Sequence, residues 1–158
     1  MDGSAAIIRR EINMFQRILL AYDGSAASQR ALIDSDAVAR MTSARIHLVA
    51  VVPEPTAHLA FEAGMLDMPD PAEQRGHAKR RLDSGMALLR DHGFEVSGEV
   101  LFGDPVEQIA ETAERIGAQL IVVGHHRNRG WLERWWNSPI SAALIERAHC
   151  SVLVSIHD

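Results

Sequence analysis

The amino-acid sequence predicts an α/β fold, an open, doubly wound sheet of five parallel strands with helices on both faces. Three observations lead there. Short β-rich apolar runs alternate with longer segments of helical period. The first, second and fourth runs are almost continuously apolar at their centres, as strands covered on both faces are. The length, 158 residues, suits one ordinary domain and allows folding to bury roughly 70% of the unfolded chain's surface.

The expected strands are Phe15 to Tyr22, Arg45 to Val52, Glu95 to Phe102, Gln119 to Val123 and Ser151 to Ile156. Ser25 is placed to cap a first helix through about Met41, in which Ala31, Leu32, Ala37 and Val38 recur at helical spacing. The stretch Pro53 to Asp70 is broken by Pro and Gly and is the longest expected loop, before a helix from Pro71 to His92. Gly103-Asp104-Pro105 supplies a turn, a cap and a first-turn proline. The stripe Val106, Ile109, Ala110, Ala113 and Ile116 follows, and Gly117 ends that helix. Ser138-Pro139 opens the last helix, which continues through Ile140, Ala143, Leu144 and Ala148. Residues 1–13 read as a short leader and 14–158 as one domain without repeats or linkers.

Composition removes several function classes. The net charge of −5 and a pI near 5.9 give no overall positive field for nucleic acid or an anionic membrane, so any anion site is local. The longest uninterrupted aliphatic run, Leu48 to Val52, is far short of the ~20 residues that span a bilayer. No signal-peptide core precedes the first strand, and the single cysteine, Cys150, has no partner for an internal disulfide. A cytoplasmic protein is expected.

In doubly wound sheets ligands bind outside the carboxyl ends of the strands, where the strand order reverses. The residues there are Ala21 to Ser25, Val51 to Glu54 and Gly124 onward. The only lysine, Lys79, lies in a helix without a glycine frame, which excludes a phosphate-loop hydrolase. A phosphoaccepting receiver domain would need paired acids after the first strand, where this chain has Asp23 alone. No HExxH, CxxC or GxSxG occurs. The segment Gly124-His125-His126-Arg127-Asn128-Arg129-Gly130, followed by Asn137-Ser138 at a helix start, combines a glycine turn, a helix N-terminus and Arg127, Arg129 and Arg134. Those features make either a local anion site or a solvated basic loop.

The run Ile18 to Ser25 (ILLAYDGS), the turn Gly103-Asp104-Pro105, and the closing stretch from Ile121 (IVVGHH) through Ser138 to Val154 (SPISAALIERAHCSVLV) together resemble the universal stress protein family, over nearly the whole chain from Phe15. The resemblance implies a five-stranded parallel sheet of order 3-2-1-4-5 and a dimer. In one branch of the family it also implies ATP or AMP bound through G-x2-G-x9-G-[ST]. By position that pattern falls on Gly124, Arg127, Asn137 and Ser138, with the spacing intact and one glycine of three present. Asn137 is a mild change, because Asn tolerates the left-handed backbone. Arg127 costs roughly 1–2 kcal/mol if its position needs positive φ, but it also offers a guanidinium to a phosphate. The positions matching the family's adenosine contacts are Ala21, Asp23 and Val51. Asp23 would accept hydrogen bonds, and Ala21 and Val51 would pack against a base. Pro139 removes one N–H from the helix terminus. Binding is therefore expected in the micromolar range or weaker, about −8 kcal/mol or less.

Other residues invite blander readings. Trp131, Trp135 and Trp136 are all the tryptophans, and read either as an apolar pad over the sheet edge or as a partner surface or ligand lid. Adjacent histidines such as His125 and His126 seldom converge on one ion, and no metal site is expected. Cys150 reads as a small buried apolar residue, and Asp104 as a helix cap. Two functions stay open. One is a regulatory domain that binds an adenine nucleotide, with at most slow hydrolysis. The other is a stress-associated dimer that acts through protein partners without a ligand. In either case the last strand, with Val152, Val154 and Ile156, is an edge that invites pairing with a second copy.

Overall fold

A computed structural model of the chain describes residues 15–54, 70–126 and 140–157. In chain order they form β1 (Arg17–Ala21), α1 (Ala26–Thr42), β2 (Arg45–Val52), α2 (Pro71–Asp91), β3 (Val96–Phe102), α3 (Pro105–Ile116), β4 (Leu120–His126), α4 (Ile140–Arg147) and β5 (Ser151–His157). All four strand pairings are parallel, and the sheet order is β3-β2-β1-β4-β5. The order reverses between β1 and β4, so the crevice that doubly wound sheets use lies at the carboxyl ends of those two strands.

The alternation of side chains divides the core into two layers. Ile18, Leu20, Ile46, Leu48 and Val122 face α1 and α2, where Ala31, Leu32, Leu82, Met86 and Leu89 meet them. Leu19, Val49, Ile121 and Val123 face the other way, onto Ile109 and Ala113 of α3 and Leu144 of α4. Ile18, Leu19 and Leu20 are wholly buried, which explains why β1 reads as an unbroken apolar run. Each such side chain removed from water contributes about 1.5–3 kcal/mol.

Helix starts follow the residues that can cap them. Ser25 Oγ accepts from the Ser28 N–H at 3.2 Å, Asp70 Oδ1 from Ala72 N–H at 2.9 Å, and Asp104 Oδ1 from Glu107 N–H at 3.0 Å. Pro71 and Pro105 then occupy first-turn positions, where the missing N–H costs nothing. Gly117 caps the end of α3, as its place in the sequence predicts. The Ser138-Pro139 start expected for the last helix lies outside the described residues.

Only β2 has its expected bounds at both ends; β3 starts and β5 ends one residue later than expected, and β1 and β4 differ more. β1 begins at Arg17 rather than Phe15, whose φ of 62° is incompatible with a strand. β4 runs on past Val123 through Gly124, His125 and His126, because β5 extends to His157 and offers ladder partners Ser155, Ile156 and His157. Gly124 is thus a strand residue and not the glycine of a turn. β5 is also fastened to α1: the buried Ser155 hydroxyl donates to the Asp34 carboxylate, which pairs with Arg30 at 3.6 Å.

Candidate functional site

The carboxyl end of β1 leads into a tight turn. Tyr22 is buried, and its N–H still donates to Val49 O at 2.8 Å, which holds the chain against β2 for one residue past the strand. Burial, then the neighbouring Asp23 charge, push its phenol above the ordinary value. Asp23 is half-buried, and its Oδ1 accepts from the Ser25 N–H at 2.9 Å. Gly24 follows at φ 78°, a conformation that side chains disfavour, and this reversal is what delivers Ser25 to the N-cap of α1. The Asp23 carboxylate is oriented by this turn, and Oδ2 makes no hydrogen bond to another described residue.

Ala21 and Val51 are half-buried on the face that α3 and α4 cover, where they pack on the Leu19, Val49 and Ile121 layer. Gly124 lies on the opposite face. A Cβ there would overlap the Ala27 carbonyl and come within 2.8 Å of Ser28 N, so only glycine lets the first turn of α1 settle onto β4. Asp23, Ala21, Val51 and Gly124 thus share the carboxyl end of the sheet, with the two apolar contacts on one side and the glycine under α1. Arg127, Asn137 and Ser138, with the three tryptophans, lie outside the described residues.

One charged residue at this end was not foreseen. Arg81 crosses from α2 to the β1–α1 turn, where its Nη1 stands 3.5 Å from Asp23 O and its Cδ would be 3.1 Å from a Cβ on Gly24. It makes no ion pair among the described residues. The Arg80-Arg81 doublet in a helix reads from sequence as solvated surface; only the packing of α2 beside α1 brings the second guanidinium to the β1 terminus. Among the described residues there is no group of His, Cys, Asp or Glu arranged to hold a metal ion.

The family model described as the universal stress protein family matches residues 14–155. The chain belongs to the universal stress protein family. Universal stress protein MJ0531 of Methanocaldococcus jannaschii is 30% identical over 150 residues, which is 94% of this chain and 86% of that protein. A universal stress protein family member from Burkholderia pseudomallei shares 26% identity with a TM-score of 0.67, covering 89% of this chain and 96% of that one. Two more distant structures share the fold. One is an Arabidopsis thaliana universal stress protein family protein with AMP bound (17% identity, TM-score 0.64, 90% and 92% coverage). The other is an Archaeoglobus fulgidus universal stress protein in complex with dAMP (19% identity, TM-score 0.60, 89% and 98% coverage).

In this universal stress protein Gly124, the position matched to the first glycine of G-x2-G-x9-G-[ST], lies inside β4 rather than after it. Cys150, next to β5, is half-buried, and burial raises its thiol above the ordinary value, the direction that disfavours the thiolate. Asp104, expected as a cap, is a cap.

Proposed function

We propose that this universal stress protein is a cytoplasmic regulatory domain of the stress response that binds an adenine nucleotide, ATP or AMP, at the carboxyl ends of β1, β2 and β4. The observation that carries the reading is the β1 terminus, where a carboxylate of Asp23, oriented by the Ser25 N–H, stands at the sheet's reversal point, its Oδ2 without a hydrogen bond to another described residue. Ala21 and Val51 give the base apolar contacts. Gly124, Arg127, Asn137 and the Ser138 hydroxyl take the phosphates, with Arg127 replacing a glycine's backbone cradle by a charge. The AMP and dAMP bound to the Arabidopsis and Archaeoglobus proteins support this ligand class. The reading includes slow hydrolysis at most.

The domain pairs with a second copy through β5. That strand ends the sheet, and Ile156 on it is more than half exposed, as are Ile33 and Ile145 on α1 and α4, the two helices that contact β5; this reading takes the three as an apolar rim. A ligand-free dimer acting through protein partners is the second reading, favoured by the same rim.

Titration calorimetry with ATP, AMP and adenosine separates the two. The nucleotide reading expects micromolar or weaker dissociation constants, and Arg127→Ala weakening ATP more than adenosine. If Arg127 blocks the cradle instead, Arg127→Gly tightens ATP. Absence of heat and of competition for all three ligands overturns nucleotide binding and leaves the dimer reading.

A further inference from the structure

Towards the amino ends of β2 and β3, away from the crevice, four polar side chains interlock. His47 and Ser97 are directly opposite in the β2–β3 register. His47 Nδ1 is 2.7 Å from Ser97 Oγ, and His47 Nε2 is 3.0 Å from Glu99 Oε1. Arg115, reaching across from α3, donates to the same Glu99 oxygen and lies 3.5 Å from Thr112 Oγ1. The His47 side chain is mostly covered, at 18% exposure, while Ser97 is open to solvent.

The protonation pattern follows from the partners. Burial pushes the Glu99 carboxyl up, but the hydrogen bonds of Arg115 and His47, the charge of Arg115 and, when His47 is protonated, its charge outweigh it and hold the group below its ordinary value. An ionised carboxylate only accepts, so the proton of neutral His47 sits on Nε2. Nδ1 is left as an acceptor, and the Ser97 hydroxyl donates to it. A nucleophile hydrogen-bonded to a base, with the base oriented by a carboxylate, is the arrangement that activates serine on unrelated folds. Here the two ring nitrogens exchange their usual partners, which leaves the chemistry of the base unchanged.

We propose that Ser97, His47 and Glu99 form a nucleophilic serine site that accepts acyl groups from activated esters. Ser97 Oγ attacks the carbonyl carbon while its proton passes to His47 Nδ1. The bond to the leaving alcohol then breaks, and the alcohol departs with the proton from His47. Water, deprotonated by the same nitrogen, hydrolyses the acyl-serine and returns the site to its starting state. Glu99 is a positioning residue that acts through His47. The site is independent of the nucleotide crevice.

The test uses p-nitrophenyl acetate on the full chain, with nitrophenol release followed by absorbance and the acetylated residue found by peptide mass mapping. One acetyl group on Ser97 is expected in samples quenched in acid while nitrophenol is being released, absent in Ser97→Ala and absent when the wild type is unfolded in urea. His47→Gln slows acetylation by at least about tenfold. Glu99→Gln slows it and Glu99→Asp restores part of the rate, with circular dichroism confirming that each variant is folded. Acetyl groups on Lys79 or the amino terminus alone overturn the proposal. So does Ser97 acetylation that persists at the same rate in folded His47→Gln or in urea.

Discussion

Glu99 and Gly124 each join elements distant in sequence, and each has a measurable consequence. Glu99 has a folded-state pKa below its ordinary value, because Arg115 and His47 favour the charged form more than burial disfavours it. A depressed carboxylate contributes stability that is fully present above the unfolded value and is lost as pH falls through the folded one. The stability advantage of the wild type over Glu99→Gln is therefore present above about pH 4.5, the ordinary value, and shrinks below it. Denaturant unfolding of both proteins across that range checks the sign; a difference that grows on acidification contradicts the arrangement. Gly124 meets backbone rather than a flexible side chain, so Gly124→Ala forces α1 away from β4. Overpacking of this kind costs about 1–3 kcal/mol. Thermal unfolding should show a clear loss of stability, and Gly124→Ala should also weaken any nucleotide binding by shifting the β1–α1 turn.

At the scale of elements, α3 shows how little is needed to specify a helix when cap, proline and stripe agree. Asp104 accepts from Glu107 N–H, Pro105 follows, and Ile109 and Ala113 are buried against the sheet. Asp104→Ala removes the acceptor and should destabilise the protein by about 0.5–2 kcal/mol, whereas Asp104→Ser should restore most of the loss. Equal losses in the two variants would place the effect in the charge rather than in the cap. α2 followed its expected bounds to within one residue because Asp70 and Pro71 start it. The strand ends were less legible, since a strand stops where its neighbour stops offering partners. β4 gained Gly124, His125 and His126 from the length of β5, a partner far along the chain.

Across the whole molecule, the order β3-β2-β1-β4-β5 puts β3 and β5 at the two edges. The two edges are finished differently. β3 carries Ser97 and Glu99, polar side chains that discourage edge-to-edge pairing, while β5 carries the exposed Ile156 and is contacted by α1 and α4, which carry the exposed Ile33 and Ile145. Light scattering at micromolar concentration is expected to give about twice the chain mass of 17.4 kDa, and Ile156→Lys is expected to reduce it to the mass of one chain. A wild-type monomer under the same conditions removes β5 as the pairing edge.

The sequence by itself determined the layered α/β class, the alternation of the five strands and four helices found among the described residues, the caps at Ser25 and Asp104, and the family. All of these depend on residues close together in the chain, through apolar periodicity, capping chemistry and motif spacing. Asp23 was legible as a candidate for the same reason, because its turn is local and follows directly from the first apolar run. Tertiary structure alone decided that Gly124 serves the packing of α1 on β4, and that Arg81 arrives at the β1 terminus from α2. It also decided that His47, Ser97, Glu99 and Arg115 meet, although β2 and β3 are separated in sequence by α2, and that Ser155 reaches Asp34. Parallel strands place residues tens of positions apart side by side, and which of them become neighbours depends on register and helix docking. Those are set by burial of the whole core rather than by any segment of it.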